Sequence, residues 1–150
     1  MLRGRRGCHT PPAPGAPRQT RMHTMKTQGE IEAAIGDGIS RFEQDCMGRG
    51  PKNIRAHLID DLVIVRLKDV LPPAEQHLVK QRADVEGRDL LKQVRTHLIE
   101  TARPVMETMV QEITGVKVVS LHHDISTLTG EEIVLFTQAG APLFRETKKQ

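Results

Sequence analysis

The sequence predicts an α+β fold, with elements in the order α-β-β-α-α-β-β. It implies a mainly antiparallel four-stranded sheet packed against an N-terminal helix and a long kinked helix. Three observations lead there. The stretches Asn53–Asp69 and Val116–Thr137 each read as two β-branched, partly alternating runs folded about a polar turn, the pattern of a hairpin. Thr27–Met47 and Arg88–Thr114 instead repeat apolar residues at three- and four-residue steps, the pattern of a helix with one buried face. No strand–helix–strand rhythm of the parallel crossover kind occurs, so helices layered on one face of an antiparallel sheet are the natural solution.

The first helix opens at Thr27-Gln28-Gly29-Glu30, a capping box in which Thr27 caps and Glu30 reaches back. Ile31, Ile35, Ile39, Phe42 and Cys46 then line one face, and Gly48, Gly50 and Pro51 stop the helix. In the first hairpin Ile54, Ala56 and Leu58 alternate with Asn53, Arg55 and His57. Asp60-Asp61 makes the turn, and Leu62–Val65 is almost continuously apolar, as a central strand is. Pro73 suits the first turn of a short helix over Ala74–Arg82. In the long helix Leu90, Leu91, Val94, Leu98, Ala102, Val105, Met109 and Ile113 form the expected buried stripe, and Pro104 predicts a kink near Glu100–Pro104. Gly115 ends that helix, and Ser126–Gly130 is the loop of the second hairpin. The continuous runs Leu62–Val65 and Val116–Val119 imply that parts of both sheet faces are covered.

Residues 26–138 thus read as a single α+β domain, and 139–150 as a mobile C-terminal tail. Residues 1–25 hold five Arg, four Pro and no acid. They read as a disordered Arg/Pro-rich tail, with three alternatives open: a transit-type presequence, a basic arm, or an extension upstream of a start at Met22 or Met25. The formal net charge of +3 comes from this tail, because the remaining residues carry 17 Lys and Arg against 19 Asp and Glu. With no basic cluster on the folded part and no Trp or Tyr to stack on bases, nucleic-acid binding is not expected. No apolar run approaches the roughly 20 residues that cross a bilayer, so no transmembrane segment is expected. Cys8 and Cys46 form no CxxC motif, which points to a reducing, cytoplasmic setting.

Candidate chemistry collects at the mouth of the second hairpin. His122 and Asp124 share one face of a strand and His123 points to the other. The turn that follows, with Ser126, Thr127, Thr129 and Gly130, is rich in oxygen atoms that suit a cation or a phosphate, or that satisfy their own backbone. His57 is the remaining candidate for a metal set with His122 and Asp124, provided its strand lies alongside. Gly48-Arg49-Gly50-Pro51-Lys52 lacks the P-loop spacing and follows a helix, so it reads as helix termination. No catalytic residue and no cofactor are assigned.

The stretch Gly48-Arg49-Gly50-Pro51, the hairpin IRAHLIDDLVIVRLKDVL, the helix containing LLKQVR and the ending TGVKVVSLHHDISTLTGEEIVLFT together resemble the MpsC family. The resemblance spans residues 27–138 and leaves out the Arg/Pro tail, and Pro72-Pro73 stands where the family tends to have Thr-Pro. The family is named for a Na⁺-translocating membrane-potential-generating system. The resemblance implies a cytoplasmic accessory or regulatory domain, peripheral to the membrane through an integral partner, because a chain with no span cannot itself carry ions across a bilayer. With no complete nucleophile, metal or phosphate signature in the sequence, the expected role is non-enzymatic. It carries over the hairpin residues His122, His123, Asp124, Ser126, Thr127, Thr129 and Gly130 as a binding site only. A homodimer is expected from the bare sheet face or from the apolar surplus of the long helix. The competing reading is a small-ligand or metal sensor built on the Val116–Thr137 hairpin.

Overall fold

Local signals at both ends of each element explain where it starts and stops. A computed structural model describes residues 25–81 and 85–146. Its elements are α1 (Gln28–Met47), β1 (Asn53–Ile59), β2 (Leu62–Lys68), α2 (Pro73–Gln81), α3 (Val85–Thr114), β3 (Val118–Ile125) and β4 (Glu132–Gln138), in the predicted order. The readings of residues 1–24, 82–84 and 147–150 lie outside the described residues.

At the start of α1 the Glu30 N–H donates to Thr27 Oγ1 at 3.2 Å and the Thr27 N–H donates to Glu30 Oε2 at 2.8 Å, closing the capping box. At its end Gly48 adopts the left-handed conformation (φ 74°) that a side chain resists. Asp60 takes φ 52° in the β1–β2 turn, where a short polar side chain tolerates it. The helix α3 runs 30 residues and continues through Pro104.

The sheet is antiparallel throughout, in the order β1-β2-β4-β3. The two hairpins therefore meet through their inner strands, β2 and β4, and β1 and β3 are opposite edges. On one face Leu58, Val63, Phe136 and Leu121 form a cross-strand row, followed by the row Ala56, Val65, Val134 and His123. These apolar side chains are buried with Ile31, Ile35 and Ile39 of α1 and Leu91, Ile99, Met106 and Val110 of α3. The two helices cross closely at Gly38, where an added Cβ would collide with the Met109 side chain.

The other face carries the rows Ile59, Leu62, Thr137, Ser120 and His57, Ile64, Leu135, His122. No described helix covers it. Leu62 and Ile64 are half-buried and Ile59 is 52% exposed, so the apolar run in β2 does not signal coverage on both sides. At the edge, β3 bulges at Val119, which is left outside the register.

Two helix faces differ from the sequence reading. In α1, Cys46 is exposed, and the buried line Ile31, Ile35, Ile39 continues to Glu43. In α3 the buried seam runs Leu91, Arg95, Ile99, Met106, Val110, Thr114, leaving Leu90, Val94 and Val105 at 51%, 45% and 68% exposure. Glu43 and Arg95 face one another in the interior at 3.5 Å, so two ionisable residues occupy positions that an apolar stripe would fill.

Past β4 the chain turns back over the body. The Ala139 N–H donates to Lys117 O, and Arg145 pairs with Thr27 in an isolated parallel bridge, its N–H donating to Lys26 O at 2.9 Å. Among the described residues no helix is long and apolar enough to cross a membrane.

Candidate functional site

At the end of the sheet where β4 begins, five elements send ionisable side chains into the interior. Arg95 of α3 is the hub and is fully buried. Its Nη2 donates to the Val70 carbonyl at 3.0 Å, just past β2, and to Glu75 Oε2 of α2 at 2.9 Å. Its Nη1 lies 3.5 Å from Glu43 Oε2 of α1 and 3.5 Å from Glu132 Oε2 of β4. The Glu132 carboxyl in turn is hydrogen-bonded to His123 Nε2 of β3.

One guanidinium faces three carboxyls, so the charges do not balance if all are ionised. Burial first, then the neighbouring Glu132, pushes the Glu43 carboxyl up to about 8 against the downward pull of Arg95. Glu43 therefore keeps its proton at neutral pH. Two buried carboxyl oxygens, Glu43 Oε1 and Glu132 Oε2, make no hydrogen bond within the protein. A proton on Glu43 supplies the donor missing between two acids. The opposite shift occurs outside: the Lys92 ammonium, 3.0 Å away, holds the exposed Asp124 carboxyl below its ordinary value.

The segment that follows β2 links this hub to a cavity of about 450 Å³. The Val70 N–H donates to Gly130 O, and the Leu71 carbonyl accepts from Gln76 Nε2 at 2.9 Å. Leu71, Gln76 and Gly130 line the cavity, along with Asp69, Val79, Lys80, Arg88, Thr127, Leu128 and Thr129. The turn itself is internally bonded, the Thr129 N–H to Ser126 Oγ and the Glu131 N–H to Thr129 Oγ1.

The hairpin residues singled out from sequence are divided among four places. Thr127, Thr129 and Gly130 border the cavity. Asp124 and Ser126 border a second depression of about 380 Å³ on the other side of the turn, which Thr127 also touches. His123 points into the core, whereas His122 lies on the open face, its Nε2 3.2 Å from Ser120 Oγ. His57 and His122 share a cross-strand row, yet β2 and β4 lie between them. Three strand spacings, about 14 Å, are too wide for one metal ion. Thus β1 does not lie alongside β3, and the structure does not bring His57, His122 and Asp124 together. Among the described residues no group of three metal-ligating side chains converges.

Sequence reasoning missed Glu43, Glu75, Arg95 and Glu132. A signal existed for three of them. Glu43 extends the four-residue spacing of Ile31, Ile35 and Ile39. Arg95 stands midway between Leu91 and Ile99, and Glu132 begins the alternation that continues through Val134 and Phe136.

Fold and site together define an α+β domain with helices on one sheet face, a buried charged hub and a cavity at the second hairpin. Residues 27–139 match the family described as Na⁺-translocating membrane potential-generating system (MpsC), and the chain belongs to that family. It is also similar to the protein described as uncharacterized protein YbcI of Bacillus subtilis (strain 168), with 36% identity over 111 residues, covering 74% of this chain and 87% of that protein. No solved structure matches.

Proposed function

We propose that this chain is a non-enzymatic, cytoplasmic accessory domain of a Na⁺-translocating membrane-potential-generating system, docking on an integral component of that system. The observation that carries the reading is the open sheet face. Ile64 and Leu135 sit side by side at its centre, and Ile59, Leu62 and Ile133 extend the apolar surface in the neighbouring rows. An apolar surface that no helix covers among the described residues supports an interaction face. The exposed α3 stripe of Leu90, Val94 and Val105 supports a homodimer beside it. The test is recovery of the full chain with membranes of its native host. Ile64→Lys with Leu135→Lys abolishes that recovery while the far-UV spectrum stays unchanged. Equal recovery of the variant overturns the docking face. A light-scattering mass of one chain at micromolar concentration removes the homodimer.

The cavity favours a second reading, a small-ligand sensor at the second hairpin. Its volume falls within the roughly 300–1,000 Å³ typical of ligand sites. Amide chemical shifts of Thr127, Thr129 and Gly130 during titration with nucleotides, divalent ions and organic acids test it, and a panel without shifts at these residues removes it.

A further inference from the structure

The cavity has a composition that restricts what can occupy it. Its apolar wall comes from three elements: Leu71 after β2, Val79 of α2 and Leu128 of the β3–β4 turn. Leu71 is buried, whereas Leu128, at the tip of the turn, is 90% exposed. An aliphatic side chain held that far out has a reason to be there if it closes over an apolar ligand. Among the described residues the rim carries two cations, Lys80 at the end of α2 and Arg88 in the first turns of α3, against one carboxylate, Asp69.

No aromatic side chain lines the cavity among the described residues, and the whole chain has three Phe and no Trp or Tyr. Phe136 is fully buried under the helices. A nucleobase would find no stacking surface, so a nucleotide fits poorly. A hydrated inorganic anion would gain from the cations and waste the apolar wall. A neutral alkane-like body would gain from the wall and leave two cations unpaired at the mouth.

We infer that the cavity between α2 and the β3–β4 turn is a binding site for an aliphatic organic anion, with the alkyl chain against Leu71, Val79 and Leu128 and the carboxylate or phosphate held by Lys80 and Arg88. This rests on the sensor reading above and specifies its ligand class. The site also has a route to the rest of the molecule. Gln76 and Glu75 are neighbours on α2, one bonded to Leu71 O at the cavity and the other to Arg95 in the hub. A ligand that seats α2 therefore bears on the ion pair that ties this helix to the body.

The experiment is calorimetric and NMR titration of the full chain with hexyl phosphate, hexanoate, hexanol and inorganic phosphate. Hexyl phosphate and hexanoate bind and shift the Leu71, Val79 and Leu128 methyls, and hexanol and inorganic phosphate bind about tenfold more weakly or worse. Lys80→Glu with Arg88→Glu weakens the two anions by about tenfold or more, whereas Arg55→Glu, exposed on the edge strand β1 and outside the cavity lining, leaves them unchanged. Co-sedimentation with phosphatidylglycerol vesicles, dependent on Lys80 and Arg88, identifies a lipid as the source of the anion; its absence identifies a soluble one. Equal affinity for hexanol and hexyl phosphate, or binding untouched by the charge reversals, overturns the inference. If none of the four probes binds but another ligand shifts Gly130, the anion class fails and the sensor reading stands.

Discussion

The two faces of this sheet invert the usual assignment of residues to inside and outside. The covered face holds His123 and Glu132 in its rows, with Glu43 and Arg95 pressed on them from the helices. The open face holds Ile64 beside Leu135. Both departures involve β4, which carries Glu132 to one face and Leu135 to the other, and on β3 His122 and His123 are likewise chain neighbours with opposite surroundings. Paired charge inside is tolerated when every partner is present, and the apolar surface outside is what the docking proposal rests on. The comparison separates what holds this domain together from what it offers to others.

The largest effect is expected at the hub. Arg95→Leu leaves Glu75 and Glu132 without their cation and costs about 3–5 kcal/mol, read as a lowered urea midpoint. Adding Glu43→Leu and Glu132→Leu recovers much of the loss, because an apolar core replaces a broken ion cluster. A triple variant as unstable as Arg95→Leu would show that the cluster does more than balance its own charges.

A pH series sharpens the same point. Glu43 releases its proton near 4.5 when unfolded and only near 8 when folded. Between those values the folded state binds more protons, so Glu43 makes stability fall as pH rises, levelling off above about 8. The drop is on the order of a few kcal/mol. Glu43→Gln removes this slope, and urea denaturation at pH 5, 6.5 and 8 reads the difference. Parallel curves for the two proteins would break the assignment.

On the open face the cost is smaller. Ile64→Lys changes the stability of the isolated domain by less than about 1 kcal/mol, whereas Val65→Lys, one residue along and fully buried, prevents folding. The smallest effect is at the rim: Asp124→Asn removes the Lys92 pair and costs a few tenths of a kcal/mol at neutral pH, the side chain being 76% exposed. Lys92 lowers the folded-state pKa, so this contribution is present above the unfolded pKa and disappears as pH falls through the folded one. Thermal melts at pH 7 and pH 3 read the difference.

The fold was legible because each element carries its own punctuation: the capping box at Thr27, the Asp60-Asp61 turn, Pro73 at the start of α2, and Gly115 at the end of α3. The cavity was legible in part, through Thr127, Thr129 and Gly130, because turn chemistry is local. The hub was not. Ionisable residues on an apolar stripe look like its solvent boundary until the polar partner they face is in place, and Glu43 and Arg95 are 52 residues apart. The metal set built on His57 required strand order, which periodicity does not encode.

The pairing of Thr27 with Arg145 has a practical corollary. Residues 26 and 145 are already hydrogen-bonded, so a few glycines suffice to splice one to the other, and short loops lose little entropy on closing. Opening the ring at the Asp60-Asp61 turn then gives a circular permutant whose new ends emerge far along the sequence from the old ones. A fusion partner attached there leaves from a different corner of the body, so the orientation of any tethered domain can be changed with every strand and helix kept intact.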